Sequence, residues 1–329
     1  MKLNNLVKML IPKNKNFVYG RVCFCVFILL FFVLSPLPST LPPVFGAKIH
    51  SAAGSTSATF LKIGVGARAV SMAGAFVSVC DDPYAAYWNP AGLTYLKDSK
   101  YLSFSHNDYF QGLKQEFLVY TVDGEYMKFI NSDKFGGGIW AFGLNYFYIP
   151  EDMERRSGLN ESDPLNPISP VEGKFKAYDM ALSISHGFEY EKDWNLGYKL
   201  KFIRQSIDDE SGEAFAVDVG GLRPINLLGA DFMLGLSLQN LGPGIKFISK
   251  RYKLPLILKA GISKKISKGL VAFEMEKHID NYPFLKVGIE QYLSDKFSIR
   301  GGYKYRLYGN KLGAISGLAT GFGIALKNF

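Results

Sequence analysis

Apolar and polar residues alternate one by one along most of the chain from about residue 100 onward. In the segment 297–306, the odd positions hold Phe, Ile, Gly, Tyr and Tyr, and the even positions hold Ser, Arg, Gly, Lys and Arg. A repeat of two residues is that of a β-strand with two different faces, whereas a helix repeats at about 3.6 residues. The pattern predicts twelve strands, at about residues 101–106, 116–122, 136–149, 174–189, 194–208, 213–222, 231–240, 254–266, 269–278, 283–293, 296–306 and 313–327.

This alternation fits two all-β architectures. A soluble antiparallel sandwich buries its apolar faces, whereas a transmembrane barrel turns them to lipid. Aromatic residues make up 15% of the sequence, and several lie at predicted strand ends, as in the aromatic girdles of membrane barrels: Trp194, Tyr292, Tyr303 and Tyr305. Short and long connections also alternate. We therefore expect a transmembrane antiparallel β-barrel, with the sandwich as the alternative.

The first 46 residues are typical of a secretory signal peptide. They contain no acidic residue, and a basic stretch precedes the apolar run 22–34. That run is shorter than the roughly 20 residues of a spanning helix, so a permanent helical anchor is the weaker alternative. We expect cleavage before Ala47, which lowers the formal net charge from +9 to +4 and leaves no indication of nucleic-acid binding. The basic residues of this segment are Lys2, Lys8, Lys13, Lys15 and Arg21.

The predicted strands also give a topology. If the N-terminus is periplasmic, the tight connections 191–193, 267–268 and 294–295 fall on the periplasmic side. The polar stretch 150–173 then lies outside the cell, where its Pro, Asn, Ser and charged residues predict a mobile surface loop.

A different composition precedes the strands, because small residues dominate the segment 54–93. Gly and Ala permit close approach of the backbone, which suits a compact plug inside a barrel. A nucleotide-binding loop is disfavoured, because no Gly-Lys-Ser/Thr sequence follows Gly64 and Gly66.

The stretch GVGARAVSMAGAFVSVCDDPYAAYWNPAGL, residues 64–93, resembles the signature of the PorV/PorQ family, which belongs with the FadL-like outer-membrane barrels. Ser71, Ala73 and Cys80 depart from the family pattern. The resemblance implies a fourteen-stranded barrel around an N-terminal hatch, two strands more than the alternation predicts. We expect a signal peptide at 1–46, a hatch or plug at 47–98 and a barrel at 99–329 that lacks a final hairpin at its C-terminus.

The motif also supplies candidate site residues. Arg68 is expected to form an ion pair between hatch and wall, and the alternative is a contact with an acidic group of a ligand. Asp81 and Asp82 precede Pro83, which favours a turn over paired catalytic acids or calcium ligands. The hatch residues singled out are Gly64, Gly66, Arg68, Gly74, Asp81, Asp82, Trp88, Asn89, Pro90 and Ala91.

A second set comes from the strands, where charged residues share the face opposite the apolar one. Both signs occur, which suits pairing in a polar lumen better than a selectivity filter. The predicted lumen-facing charges are Lys199, Lys201, Glu274, Glu276, Lys286, Glu290, Arg300 and Lys304. The four histidines show no metal-ligand spacing and no triad pattern, so neither a metal, a cofactor nor an enzymatic activity is expected.

The resemblance implies a barrel in the bacterial outer membrane, in contact with its lipid. Its partners would be secreted cargo proteins or components of the type IX secretion system. The alternative is a passive FadL-like channel for hydrophobic small molecules such as long-chain fatty acids. Nucleic acid is not an expected partner.

Overall fold

Twelve strands form one antiparallel sheet, and each pairs with its neighbour along the chain. The structure is a computed structural model that describes residues 48–96, 100–126, 137–156, 170–191, 193–308 and 313–326. The predicted signal peptide, its cleavage site and the last three residues lie outside this part of the chain. The sheet strands are β1 (Tyr101–Asp108), β2 (Lys114–Asp123), β3 (Ile139–Tyr148), β6 (Ala177–Tyr190), β7 (Trp194–Ile207), β8 (Glu210–Leu227), β9 (Ala230–Leu241), β12 (Ile257–Ile266), β13 (Gly269–His278), β14 (Phe284–Tyr292), β15 (Phe297–Arg306) and β16 (Leu318–Ile324).

Two short ribbons stand outside the main sheet. One pairs β4 (Met153–Arg155) with β5 (Gly173–Phe175), and the other pairs β10 (Ile245–Phe247) with β11 (Lys250–Tyr252). The first ribbon lies at the two ends of the predicted loop 150–173, while the middle of that loop lies outside the described residues. The twelve strands predicted from the alternation are confirmed, with bounds that differ by a few residues. The described sheet has two strands fewer than the family resemblance implies.

The burial of side chains distinguishes the barrel from the sandwich. Leu258 is 53% exposed, whereas the next residue, Lys259, is 3% exposed. The same inversion occurs at Phe273 and Glu274, which are 45% and 1% exposed. A soluble sandwich would bury the apolar residue of each pair and expose the charged one. The wall is therefore that of a transmembrane β-barrel, with apolar residues facing outward and polar ones inward.

The helical elements of the N-terminal region are short and lie before β1. They are helix α1 (Ala67–Ser71), helix α2 (Ala85–Trp88) and 3-10 turns at Thr59–Lys62 and Pro90–Leu96. Further 3-10 turns, in the connections, are Phe110–Gly112, Gly124–Tyr126 and Ala314–Gly317. None of the helices in the described part of the chain is long and apolar enough to cross a membrane.

The strand directions sort the connections onto two rims. The short-turn rim carries the connections 191–193, 228–229, 267–268 and 293–296, with the longer segment 124–138 as an exception. The long-loop rim carries the connections 109–113, 149–176, 242–256, 279–283 and 307–317, with the tight turn 208–209 as its exception. The tight connections named from the sequence thus share one rim, and the two described ends of the stretch 150–173 lie at the other.

The expectation that the N-terminus lies on the same side of the barrel as the tight connections is wrong. The first strand starts at the short-turn rim, but the N-terminal described residues lie at the long-loop rim, where Arg306 donates a hydrogen bond to the Lys48 carbonyl and the His50 ring contacts Tyr282. The chain reaches the first strand only after passing through the interior from one rim to the other. The position of β1 therefore does not give the position of the N-terminus.

The strands β1 and β16 are the two ends of the sheet, and no backbone pairing joins them within the described residues. We call the gap between them the seam. Helix α1 packs against β15 and β16, and the preceding Gly66 donates its backbone N–H to Ser105 Oγ on β1 at 3.1 Å. The N-terminal region thus contacts both edges of the seam.

Candidate functional site

The candidate site is the interface between the barrel wall and the interior segment 64–93, which we call the plug core. Its apolar centre contains Met72, Phe76 and Trp88, packed with wall residues such as Phe117 and Leu222. Phe76 and Met72 are fully buried. The predicted small-residue segment therefore gains its core by packing against the wall, since its own Gly and Ala residues offer little apolar area.

Asn89 connects the plug core to itself and to the wall. Its side chain is fully buried, and Nδ2 donates to the carbonyl of Val77 at 2.8 Å and to those of Gly221 and Leu236 at 3.3 Å each. Oδ1 accepts the backbone N–H of Ala91 at 3.2 Å. The side-chain amide of Asn89 thus donates through Nδ2 and accepts through Oδ1, which a side chain without both functions could not do.

Glycines in the wall allow the plug backbone to lie directly on the strands. A Cβ added at Gly197 would lie 2.4 Å from the carbonyl carbon of Pro90, and one at Gly235 would lie 2.4 Å from the carbonyl oxygen of Val77. Both distances are far below van der Waals contact, so any larger residue would displace the plug backbone.

Arg68 is the centre of an ionic cluster near the short-turn rim. Its guanidinium contacts Asp81 and Asp82 of the plug core, and Nη2 lies 2.8 Å from Glu290 Oε2 on β14. Arg300 on β15 reaches the same carboxylate at 2.6 Å. Burial opposes the charge of Arg68, but the hydrogen bond to Glu290 and the charges of the two aspartates outweigh it and raise the pKa of the guanidinium.

The two aspartates have different surroundings. Burial raises the pKa of Asp82 above its ordinary value despite the opposing charge of Arg68, and its Oδ1 accepts the backbone N–H of Tyr84 at 3.0 Å. This contact spans the turn around Pro83, the role expected from the sequence. Because Asp81 also contacts Arg68, the pair shares one cation.

Glu274 and Lys286 form a second cluster, deep in the interior. Glu274 Oε2 accepts the backbone N–H groups of Phe76 and Val77 at 2.9 and 2.8 Å, while Oε1 lies 2.9 Å from Lys286 Nζ. The ammonium also donates to Glu276 at 2.7 Å and to the Gly74 carbonyl at 3.2 Å. The adjacent strands β13 and β14 thereby hold residues 74–77 of the plug core by charge-assisted hydrogen bonds.

A third cluster lies on β7 and β8. Asp218 is 3.2 Å from Lys199 and 2.6 Å from Lys201, and it accepts the backbone N–H of Asn240 at 2.7 Å. Lys199 also donates to the Ala86 carbonyl at 2.8 Å, so this cluster too reaches the plug core.

The profile of the family described as "Type IX secretion system protein PorV" matches residues 47–261. The chain belongs to the PorV family. The crystal structure of the Pseudomonas putida toluene transporter TodX is similar in fold, with a TM-score of 0.50 and 13% sequence identity over 80% of this chain and 89% of that one. At this identity the likeness supports the FadL-like fold alone. No curated protein sequence matches significantly.

The structure brings the predicted site residues of this PorV-family chain into one interface. The motif residues lie in the plug core. Of the eight predicted lumen-facing charges, Arg300 and Lys304 are half-buried. The other six are at most 5% exposed: Lys199, Lys201, Glu274, Glu276, Lys286 and Glu290.

Sequence reasoning missed two charges of the same interface. Asp218 and Lys259 were not among the candidates, although both stand between apolar neighbours at the inward-facing positions of their strands. A single charge within an apolar strand segment was the available signal.

Neither metal nor thiol chemistry has support at this interface. Within the described residues, no group of three or more His, Cys, Asp or Glu side chains could hold a metal ion. Cys80 is fully buried, and its Sγ contacts the Phe76 carbonyl at 2.9 Å. Burial raises the pKa of this thiol well above its ordinary value, which keeps it in the unreactive protonated form.

Proposed function

We propose that this chain is a non-enzymatic barrel of the outer membrane that serves protein secretion by holding type IX cargo or components at the cell surface. The observation that carries the proposal is the PorV family match, which spans the whole plug core and the strands from β1 to β9. Export through a cleaved signal peptide belongs to the same proposal, and N-terminal sequencing of the mature protein tests it.

The filled lumen favours a scaffold over an open pore. Three ionic clusters attach the plug core to strands on different sides of the wall. The interior cavities beside Lys201 and Trp88 measure about 20 and 220 Å³. A plug held in this way suits a rigid platform, because release would leave buried charges such as Glu274 and Lys286 without their partners.

The ribbon β10–β11 is the part of the long-loop rim best suited to a protein partner. Lys246, Lys250 and Arg251 are exposed on it, and no acidic residue occurs between positions 242 and 256. Ile248 and Tyr252 are also exposed, at 74% and 43%. Such a mixture of cations with an aromatic and an aliphatic side chain fits a partner with an acidic surface around an apolar contact.

The proposal is tested by affinity purification from detergent-solubilised outer membranes, followed by mass spectrometry of co-purified proteins. The double variant Lys246→Glu/Lys250→Glu should lose the secretion cargo or components that the unchanged protein retains. The matched control is Lys265→Glu/Lys268→Glu, which makes the same charge change at the short-turn rim. If neither the unchanged protein nor the control retains such proteins, the secretion role is wrong. Equal retention by both double variants would exclude the ribbon β10–β11 as the surface that binds the partner.

A passive channel for hydrophobic small molecules is the second candidate. It is favoured by an apolar depression of about 800 Å³ on the outer face of the wall, lined by residues that include Leu118, Phe142 and Phe215. Ser183 and Lys201 line both this depression and the small interior cavity, so the wall between the two is thin. Uptake of a hydrophobic dye by cells with and without the protein tests this alternative, and equal uptake contradicts it.

A further inference from the structure

A cavity of about 20 Å³ lies between the plug core and the strands β3, β6, β7, β8 and β9 of the wall. Its volume accommodates one water molecule or one small ion. The lining includes the third ionic cluster, which consists of Lys199, Lys201 and Asp218, and it includes Asn145 of β3. The charges and the hydrogen-bond donors of these residues decide between the two occupants.

The third ionic cluster has one cation more than it has anions. All three side chains are buried, and Asp218 is the one carboxylate of the described residues with which either lysine forms an ion pair. Two ammonium groups and one carboxylate leave an excess positive charge in the interior, which is costly unless an anion accompanies it. A water molecule would leave this charge uncompensated, whereas a monovalent anion neutralises it.

Each of the two ammonium groups has one N–H that no oxygen of the described residues accepts. Lys199 donates to the Ala86 carbonyl at 2.8 Å and lies 3.2 Å from Asp218 Oδ2. Lys201 donates to the side-chain oxygen of Asn240 and lies 2.6 Å from Asp218 Oδ1. An ammonium carries three N–H groups, so one on each lysine remains for a ligand in the cavity that both residues line.

A chain of three side-chain amides fixes the orientation of Asn145. Asn107 Nδ2 donates to the Gly64 carbonyl at 3.2 Å and to Gln115 Oε1 at 2.8 Å. Gln115 Nε2 in turn donates to Asn145 Oδ1 at 3.0 Å. A backbone carbonyl can only accept, so the contact with Gly64 sets the direction of donation in all three amides. Asn145 therefore presents its oxygen to Gln115 and keeps its NH₂ group for another partner.

The NH₂ group of Asn145 is a buried donor. Its Nδ2 has no acceptor among the described residues, and a buried donor without an acceptor is destabilising. Asp218 Oδ2 also makes no hydrogen bond, but the charge of the Lys199 ammonium at 3.2 Å compensates it. Two ammonium groups and one amide thus line the same small cavity as donors, and their ligand must be an acceptor.

We propose that this cavity binds chloride, held by the remaining N–H groups of Lys199 and Lys201 and by Asn145 Nδ2. Chloride accepts hydrogen bonds from several directions and carries the single negative charge that the cluster lacks. The cavity is too small for an organic anion with a carbon chain. Lys199 also donates to the plug core, so the ion stabilises the contact between the plug core and β3, β7 and β8. The site goes beyond the proposed secretion role and does not depend on it.

Unfolding in two salts measures the binding. The full barrel in a neutral detergent is unfolded in sodium chloride and in sodium gluconate, whose anion is too large for the cavity, at equal sodium concentration. Chloride should stabilise the protein in a saturable way, because it binds the folded state alone. At a chloride concentration ten times the dissociation constant, the equilibrium constant of unfolding should fall about tenfold.

Bromide locates the site in the unchanged protein. Crystals grown in sodium bromide should show an anomalous peak within hydrogen-bond distance of Lys199 Nζ, Lys201 Nζ and Asn145 Nδ2. This measurement needs no variant, so the proposal can be tested even if every substitution in the cavity prevents assembly.

Asn145→Asp separates the cavity from general effects of salt. The new carboxylate still accepts from Gln115, and it places a negative charge where the ion would lie. The stability of this variant should no longer respond to the exchange of gluconate for chloride. Asn226→Asp makes the same change on an exposed part of β8 and should respond like the unchanged protein. Equal unfolding of the unchanged protein in the two salts, no bromide peak in the cavity, or a full chloride response in the assembled Asn145→Asp variant overturns the proposal.

Discussion

The interior segment has two parts that are held in different ways. The plug core, residues 64–93, lies deep in the barrel and is fixed by fully buried contacts such as those of Asn89 and Glu274. Residues 48–57, which we call the strap, lie at the long-loop rim and contact mainly connections. Thr56 forms a parallel bridge with Lys253, and the Ser57 backbone N–H donates to the Lys253 carbonyl at 2.9 Å.

The difference is one of burial and hence of local stability. Contacts of the plug core cannot open without exposing charges and apolar surface in the interior, so they should open only when the barrel unfolds. Because the strap contacts mainly connections, we expect that it can leave the rim while the wall stays paired. The interior segment therefore combines an integral part with one that can open locally.

The largest effect is expected from Glu274→Ala in the plug core. Its removal leaves Lys286 with one carboxylate fewer and leaves the N–H groups of Phe76 and Val77 without their acceptor. Breaking a buried ion pair in this way costs about 3 to 5 kcal/mol. The free energy of unfolding should fall by this amount. It is measured in denaturant, with the heat-modifiable mobility of the protein on gels as the readout of the folded barrel.

Glu213→Ala is the control for this variant. Glu213 pairs with Arg204 at 3.2 Å on an exposed part of the wall, where a pair contributes about 0 to 1 kcal/mol. Equal losses in the two variants would show that the plug core is no more firmly held than the surface.

Gly197→Val tests the close approach of backbone to wall. The new side chain would overlap the Pro90 carbonyl, so the plug core must move away from β7, at a cost of about 1 to 3 kcal/mol. The same unfolding experiment measures the loss. Gly301→Val is the control, because nothing lies within 4 Å of a Cβ at that position. A Gly197 variant as stable as the control would mean that the plug core shifts freely.

Asn89→Ala should have a smaller effect, of about 1 to 2 kcal/mol, because three carbonyls lose one donor while the backbone stays in place. The same variant also tests whether the stability of the plug core matters for the function of the protein. A loosened plug core should reduce cargo retention if the secretion role holds, and it should raise dye uptake if the channel role holds. Asn226→Ala, which removes an exposed hydrogen bond to Asp231, is the control. An assembled Asn89 variant with both activities unchanged would separate the plug core from function.

The smallest effect is expected at the strap, from Asp280→Asn. Asp280 accepts hydrogen bonds from Thr56 and Lys62. Burial alone would raise the pKa of this carboxyl, but those contacts outweigh it and lower the pKa. A depressed pKa in the folded state stabilises the contact above the unfolded value of about 3.9, and the stabilisation is lost as the pH falls through the folded value.

The protection factors of the backbone amides of residues 48–57, which compare observed exchange with intrinsic exchange at the same pH, should therefore fall on acidification below about pH 4 in the unchanged protein. In Asp280→Asn, exchange should already be faster at neutral pH, by a factor that corresponds to about 1 kcal/mol, and it should respond less to acid. Asp209→Asn removes an exposed carboxylate near Arg155 at the same rim and serves as the control. If the strap resists exchange as firmly as the plug core in all three proteins, the two-part description is wrong.

Much of this fold follows from local patterns. The alternation around Leu258 and Phe273 is sufficient to define strands, because a strand presents successive side chains to opposite faces whatever it packs against. The small residues of 64–93 similarly indicate close backbone packing. The sequence predicted that the charged faces line the lumen, but it left the sandwich open as the alternative. The burial of Lys259 and Asp218, which are 3% and 1% exposed, decides for the barrel.

The sequence by itself determined the strands, the plug motif and the residues that carry charge, because these depend on propensity and spacing within a few positions. The tertiary structure decided the partners. Arg68 and Glu290 are more than 200 positions apart, and their contact at 2.8 Å exists only once the sheet has curved around the plug core. The position of the strap is also a property of the tertiary structure. The chain crosses the lumen between the strap and β1, so the strap lies at the long-loop rim although β1 starts at the short-turn rim. Long-range contacts of this kind depend on how the sheet curves around the plug core, which no local pattern records.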